Sequence, residues 1–206
     1  MADFKGLFVW YELLTTDVAA ACTFYGKVVG WTSEKSQMPG IDYWMFKAGD
    51  VEVAGAMAQP EAAKAMGAPP AWLGYVGVDD VDASAEVVRA NGGQVYMGPM
   101  DIPNVGRFAV IADPHGAVIG LFKFSNPVDE PAHEGPGQIG WRELNAGDLD
   151  ADFGFAGMCW AVEADLAITR FGIAEACNFP DMAMHLATRM AKAATERKAA
   201  LRIDLV

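Results

Sequence analysis

The stretch Phe8-Val9-Trp10-Tyr11-Glu12-Leu13-Leu14-Thr15-Thr16-Asp17-Val18-Ala19-Ala20-Ala21-Cys22-Thr23-Phe24-Tyr25-Gly26-Lys27-Val28-Val29-Gly30-Trp31 decides how the chain is read. Residues 8–14 are an aromatic and β-branched run of the kind that forms a strand. Thr16-Asp17 then supplies an N-cap, and Val18, Ala21, Cys22, Tyr25, Val28 and Val29 fall on one helical stripe. Gly30 closes the helix, because glycine enters the left-handed conformation at low cost.

The same unit recurs. Moved along by 131 residues, Trp10, Glu12, Leu13, Asp17, Ala20, Phe24 and Gly26 fall on Trp141, Glu143, Leu144, Asp148, Ala151, Phe155 and Gly157. A fainter repeat at an offset of 63 carries Asp17, Val18, Ala20 and Gly30 onto Asp80, Val81, Ala83 and Gly93. Such periodicity is the mark of a chain built from repeated supersecondary units.

Working outward, residues 43–48 and 51–57 read as strands joined by the turn Gly49-Asp50, with a shorter strand near 31–35. An Ala- and Pro-rich connector covers 59–70. The order then restarts with a strand at 72–78 and a helix at 81–90 that ends on Asn91-Gly92-Gly93. Strands follow at 94–97, 107–112 and 117–124, the last two joined by the turn Asp113-Pro114-His115-Gly116. The order βαβββ thus occurs twice, predicting an α+β fold with modules at 7–57 and 72–124 packed as one domain, 7–124. Residues 125–138, with Pro127, Pro131 and Pro136, read as a linker.

Residues 139–206 read as a partial second domain: an incomplete third module whose match ends at Trp160, a strand at 166–171, and a helical tail from Pro180-Asp181 to about Arg202. Its divergence after Trp160 is what a diverged or frameshifted tail would leave. An unfinished sheet exposes edge strands, to be covered either by the terminal helix or by a second copy of the chain in a homodimer.

Composition narrows the function. The 206 residues carry 15 Lys+Arg against 27 Asp+Glu, a formal charge of −12, with 52% hydrophobic and 20% charged residues. Such a chain folds, and it lacks the clustered cations of a nucleic-acid groove or an anionic-membrane surface. No run reaches the 18 apolar residues of a membrane span. No basic region followed by an apolar run opens the sequence, so the expected location is the cytoplasm. Cys22, Cys159 and Cys177 form no C-x-x-C pair, and His115, His133 and His185 lie in separate elements, so neither set is spaced as a metal site. No phosphate-binding loop, dinucleotide fingerprint or nucleophile elbow is present.

The paired modules, the helix end Phe24-Tyr25 with Gly30-Trp31, and the D-P-x-G turn before the last strand resemble the vicinal oxygen chelate superfamily over about residues 6–124. That superfamily includes glyoxalase I, bleomycin-resistance proteins and extradiol dioxygenases. Residues 8–13 and 106–110 further resemble its tandem glyoxalase-like subgroup. The resemblance implies a cupped mixed sheet around one cavity, with a metal held in catalytic members by one His or Glu from each of up to four strands. Those four positions fall on Trp10, near Gly55, on Leu73 and on Gly120, none of which offers a metal-binding side chain.

The expectation is therefore no metal and no cofactor, with glycine leaving room where a metal would have sat. Strand alternation adds Phe8 and Glu12 to Trp10, Tyr75 to Leu73, Met57 to Gly55, and Val118 and Phe122 to Gly120. The predicted ligand-binding set is Trp10, Glu12, Met57, Leu73, Tyr75 and Phe122, with Glu12 as polar anchor and candidate catalytic acid–base. Such a lining suits a flat hydrophobic ligand bearing a hydroxyl or a cationic amine, in a protein that binds or sequesters a small molecule. The alternative is a metal-dependent lyase, isomerase or dioxygenase related to glyoxalase I. Arg107 reads either as an anion contact near the site or as a surface residue.

Overall fold

The computed structural model describes residues 4–37, 41–126, 136–139 and 149–160. The first module comprises β1 (Phe8–Thr15), α1 (Val18–Val28), β2 (Thr32–Lys35), β3 (Tyr43–Ala48) and β4 (Val51–Ala58). A one-turn helix, α2 (Glu61–Ala65), lies in the connector. The second module comprises β5 (Ala71–Gly77), α3 (Val81–Ala90), β6 (Gln94–Ile102), β7 (Gly106–Ala112) and β8 (Val118–Phe124), and α4 (Leu149–Trp160) follows.

The offset of 63 is visible in the atoms. Asp17 caps α1 by accepting from the Ala20 N–H at 2.9 Å, and Asp80 caps α3 by accepting from the Ala83 N–H at 3.0 Å. Each such cap is worth about 1 kcal/mol to its helix.

The strands form one sheet in the order β2-β3-β4-β1-β5-β8-β7-β6. At its centre β1 and β5 run antiparallel, while β4 lies parallel to β1 and β8 parallel to β5. Tyr11 faces Gly74 across the central pair. These two residues are also repeat equivalents, so a pseudo-two-fold axis passes between them.

The sheet does not form the expected cup around one cavity: it is open. Its eight strands form a single row ending at β2 and β6, with no ladder joining these ends among the described residues. Seven inter-strand spacings of about 4.8 Å separate the two end strands along the sheet, far beyond hydrogen-bonding reach.

The helices cover one face. Tyr11, Leu13, Phe46, Ala54 and Ala56 pack there against Val18, Ala21, Cys22 and Tyr25 of α1. Ala109, Ile111 and Leu121 pack there against Val81 and Val88 of α3, joined by Phe155 and Cys159 of α4. The predicted stripe on α1 is thus inward as far as Tyr25, but Val28 and Val29 are exposed at its end. The opposite face carries a separate cluster of Val9, Leu73, Tyr75 and Phe122, with Trp10, Phe108 and Val110 packed against it.

Helix α4 begins and ends close to where the offset of 131 would place a copy of α1, yet equivalent residues differ sharply in burial. Phe155 is 2% exposed, whereas Phe24 is 56% exposed. Gly93 explains the difference: a Cβ there would lie 2.7 Å from Phe155 Cζ, so the missing side chain is the seat of that ring. Residues 136–139 meet the first module, where the Trp31 Nε1–H donates to the Gly137 carbonyl at 2.6 Å. No helix among the described residues is long and apolar enough to cross a membrane. The expected strand at 166–171 and the tail helix lie outside the described residues.

Phe155→Ala should cost about 3–5 kcal/mol in urea unfolding, as for a buried aromatic side chain. Its repeat equivalent, Phe24→Ala, should cost about 0.5 kcal/mol or less. Equal costs would contradict the docking of α4 on α3.

Candidate functional site

The helix-free face is built around Glu12. Glu12 and Tyr75 are 63 residues apart, the repeat offset, so the two modules place the same strand position side by side across the pseudo-two-fold. The Tyr75 hydroxyl donates to Glu12 Oε1 at 3.2 Å. Tyr43, from β3, also hydrogen-bonds Glu12, and its hydroxyl oxygen accepts the Trp10 Nε1–H at 2.8 Å. Tyr75 meets Phe122 edge to face at 6.3 Å and Phe108 likewise at 6.3 Å.

The electrostatics follow from burial. Desolvation raises the Glu12 carboxyl above its ordinary value, and the two tyrosine hydrogen bonds only partly oppose it. Burial and the neighbouring Glu12 charge push both phenols far above their usual range, so Tyr43 and Tyr75 stay protonated donors. Among the described residues, Glu12 takes part in no ion pair.

Five of the six predicted ligand-binding residues share a compact region. Trp10, Glu12 and Tyr75 belong to the hydrogen-bonded network, Leu73 lies opposite Glu12 on β5, and Phe122 packs on Tyr75. Met57 lies further along β4, opposite Tyr43.

Two expectations fail. Phe8 does not share a face with Trp10, because the register of β1 shifts between them. That irregularity turns Phe8 to the helix side, where it stacks on Tyr11 at 5.8 Å, and brings Val9 into the Tyr75–Phe122 cluster. The room expected at Gly55 and Gly120 is filled. A Cβ on Gly55 would lie 1.8 Å from the Tyr43 hydroxyl, and one on Gly120 would lie 2.1 Å from Tyr75 Cδ1. Glycine here admits a tyrosine ring from the next strand.

Tyr43 is the residue that sequence reasoning missed. The available signal was indirect: an aromatic residue opening a strand, paired with a strand that carries a glycine two positions from their shared partner. Arg107 is a surface residue with its donors engaged, bidentate to Asp82 at 2.6 and 2.8 Å and bound to Asp101 at 2.9 Å. His115 is exposed in its turn, while His133, His185 and Cys177 lie outside the described residues.

The four positions that would ligate a metal are thus Trp10, Leu73 and two glycines covered by phenol rings. They do not fit one. Among the described residues, no group of three or more His, Cys, Asp or Glu side chains is placed to hold a metal ion.

The chain belongs to the Glyoxalase/Bleomycin resistance protein/Dioxygenase superfamily, whose pattern matches residues 7–121. It is similar to "Putative glyoxylase CFP32" of Mycobacterium tuberculosis (strain CDC 1551 / Oshkosh), 45% identical over 119 residues, covering 57% of this chain and 44% of that protein. It is also similar to the anthracycline biosynthesis protein DauV of Streptomyces sp. (strain C5), 31% identical over 157 residues, covering 71% of this chain and 57% of that protein. The chain therefore spans about half the length of the curated relatives it matches. Among solved structures, the Mn(II)-bound glyoxalase from Novosphingobium aromaticivorans shares the fold with a TM-score of 0.52 at 18% identity, covering 78% of this chain and 54% of that one.

Because the raised Glu12 binds its proton more tightly in the folded state, its protonated form favours folding at low pH. That contribution is lost as the pH rises through the raised folded value. Glu12→Gln should therefore melt higher than the parent at pH 8, and the gap should close as the pH falls toward the ordinary carboxyl value of 4.5. A gap that widens on acidification would mean that Glu12 is stabilised as a carboxylate.

Proposed function

We propose that this chain is a small-molecule binding or sequestering protein that works without a metal, holding a hydrophobic or aromatic ligand on the sheet face around Trp10, Glu12, Leu73, Tyr75 and Phe122. The observation that carries this reading is the filling of Gly55 and Gly120 by Tyr43 and Tyr75. It puts apolar ring surface and one anchored carboxylate where metal-using relatives would need donor side chains.

In this reading, affinity comes from burying ring surface against Trp10 and the Tyr75–Phe122 pair, at about 25 cal/mol per Å² of apolar area. Orientation comes from Glu12, fixed by Tyr43 and Tyr75. Binding relieves the exposure of the half-buried Trp10. The rival reading is a lyase, isomerase or dioxygenase, in keeping with the glyoxylase name of the mycobacterial relative, with Glu12 as a general base near two phenols.

Calorimetric titration of the full chain with a panel of aromatic compounds tests the proposal. At least one compound should bind with an affinity that EDTA leaves unchanged, and Trp10→Ala should weaken it about tenfold, as loss of a packed aromatic anchor does. Binding abolished by EDTA and restored by a divalent metal would overturn the metal-independent reading. Turnover of a bound compound that Glu12→Gln abolishes, with binding retained, would establish the enzyme instead.

A further inference from the structure

The hydrogen atoms around Glu12 narrow what a ligand must bring. Each phenol has one proton to give. The Tyr75 proton goes to Glu12. The Tyr43 oxygen accepts from Trp10, and Glu12 is the acidic neighbour that acts on its hydroxyl. The Tyr75 proton and the indole N–H are therefore committed inside the cluster, and among the described residues of the cluster the Tyr43 hydroxyl also acts on Glu12. The unfilled capacity lies on the acceptor side, because a carboxylate offers about four lone-pair directions and two tyrosines use only two.

Charge points the same way. Glu12 takes part in none of the ion pairs among the described residues, which link Lys5, Lys35, Lys47, Lys64, Arg89 and Arg107 to other acids. It is a half-buried carboxylate beside the rings of Trp10, Tyr43 and Tyr75, whose faces attract cations. An isolated carboxylate in such surroundings is costly, and an opposite charge held against it recovers that cost.

We propose that the group recognised by Glu12 is a protonated amine, so that the ligand class of this face is an aromatic or hydrophobic ammonium compound, with the ammonium donating to the free lone pairs of Glu12 beside Trp10, Tyr43 and Tyr75. The proposal rests on the binding reading above and specifies its polar end. A neutral hydroxyl can fill a lone pair but leaves the charge uncompensated, and an anion meets only repulsion.

Binding an ammonium favours the ionised carboxylate. The affinity of such a ligand therefore rises with pH through the raised Glu12 titration, and binding releases a proton below it. The titratable groups facing Glu12 are Tyr43 from β3 and Tyr75 from β5, both protonated throughout this range. The facing residues on β4, Gly55 and Met57, and Leu73 on β5 do not titrate.

The test compares three probes sharing one ring system: 2-(1-naphthyl)ethylamine, 2-(1-naphthyl)ethanol and 1-naphthylacetate, titrated calorimetrically into the full chain at pH 7.5 and pH 5.5. The amine should bind about tenfold or more tighter than the alcohol at pH 7.5, as expected for a partly desolvated cation against a carboxylate and rings. This preference should shrink as the pH is lowered, and Glu12→Gln should abolish it, so that the amine no longer binds more tightly than the alcohol. Tyr75→Phe, which keeps the ring and the charge, should retain a preference for the amine and so controls for misfolding of the first variant.

An alcohol or acetate that binds as tightly as the amine overturns this inference and leaves the binding reading standing. An amine preference that survives Glu12→Gln overturns it as well, by placing the cation elsewhere. If none of the three probes nor any compound of the aromatic panel binds, the binding reading falls and this inference falls with it.

Discussion

The antiparallel pairing of β1 with β5 is the contact on which the rest of the structure depends. It joins the two modules through backbone hydrogen bonds and sets the pseudo-two-fold between Tyr11 and Gly74. Each central strand then takes a parallel neighbour from its own module, and a parallel neighbour requires a crossover connection, here through α1 or α3. A two-fold perpendicular to the sheet carries one crossover helix onto the other without changing faces. Both helices therefore lie on one side, and the opposite side is left to Trp10, Glu12, Leu73, Tyr75 and Phe122.

The same axis explains why a carboxylate comes to sit between phenols. Repeat-equivalent positions near a two-fold are brought together by construction, and here they have diverged into Glu12 and Tyr75. The third partner, Tyr43, comes from one module alone, and its ring occupies the space over Gly55. Glu12 thus sits beside two phenols, Tyr75 and Tyr43, the second held by the Trp10 indole, a geometry that orients it while no ion pair among the described residues balances its charge. Desolvation outweighs the two hydrogen bonds, so the group holds its proton more readily than a free carboxyl does.

Much of the fold was legible because it rests on local signals. The capping aspartates Asp17 and Asp80, the turn at Gly49-Asp50 and the tight turn at Asp113 act within a few residues, and each sits where the sequence places it. The candidate site was read from alternating strand positions, and that alternation holds from Trp10 to Glu12 and from Leu73 to Tyr75. It breaks at Val9, since a local shift in pairing register has no signature in a run of uniformly apolar residues. The glycines misled for a related reason. A missing side chain reads as space in a sequence, but folded interiors are close-packed and a neighbouring ring moves in.

By itself the sequence determined the repeat, the βαβββ order within the two modules, membership in the superfamily, and the want of donor side chains at the four strand positions of a metal site, because these depend on residue identity and spacing along the chain. Only the tertiary structure decided that the sheet is open, that Phe155 is buried while its counterpart Phe24 is bare, and that Tyr43 completes the surroundings of Glu12. Each of these is a contact between residues far apart in the chain, made by whichever side chain best fills the space its neighbours leave. Spacing along the sequence carries no record of that competition.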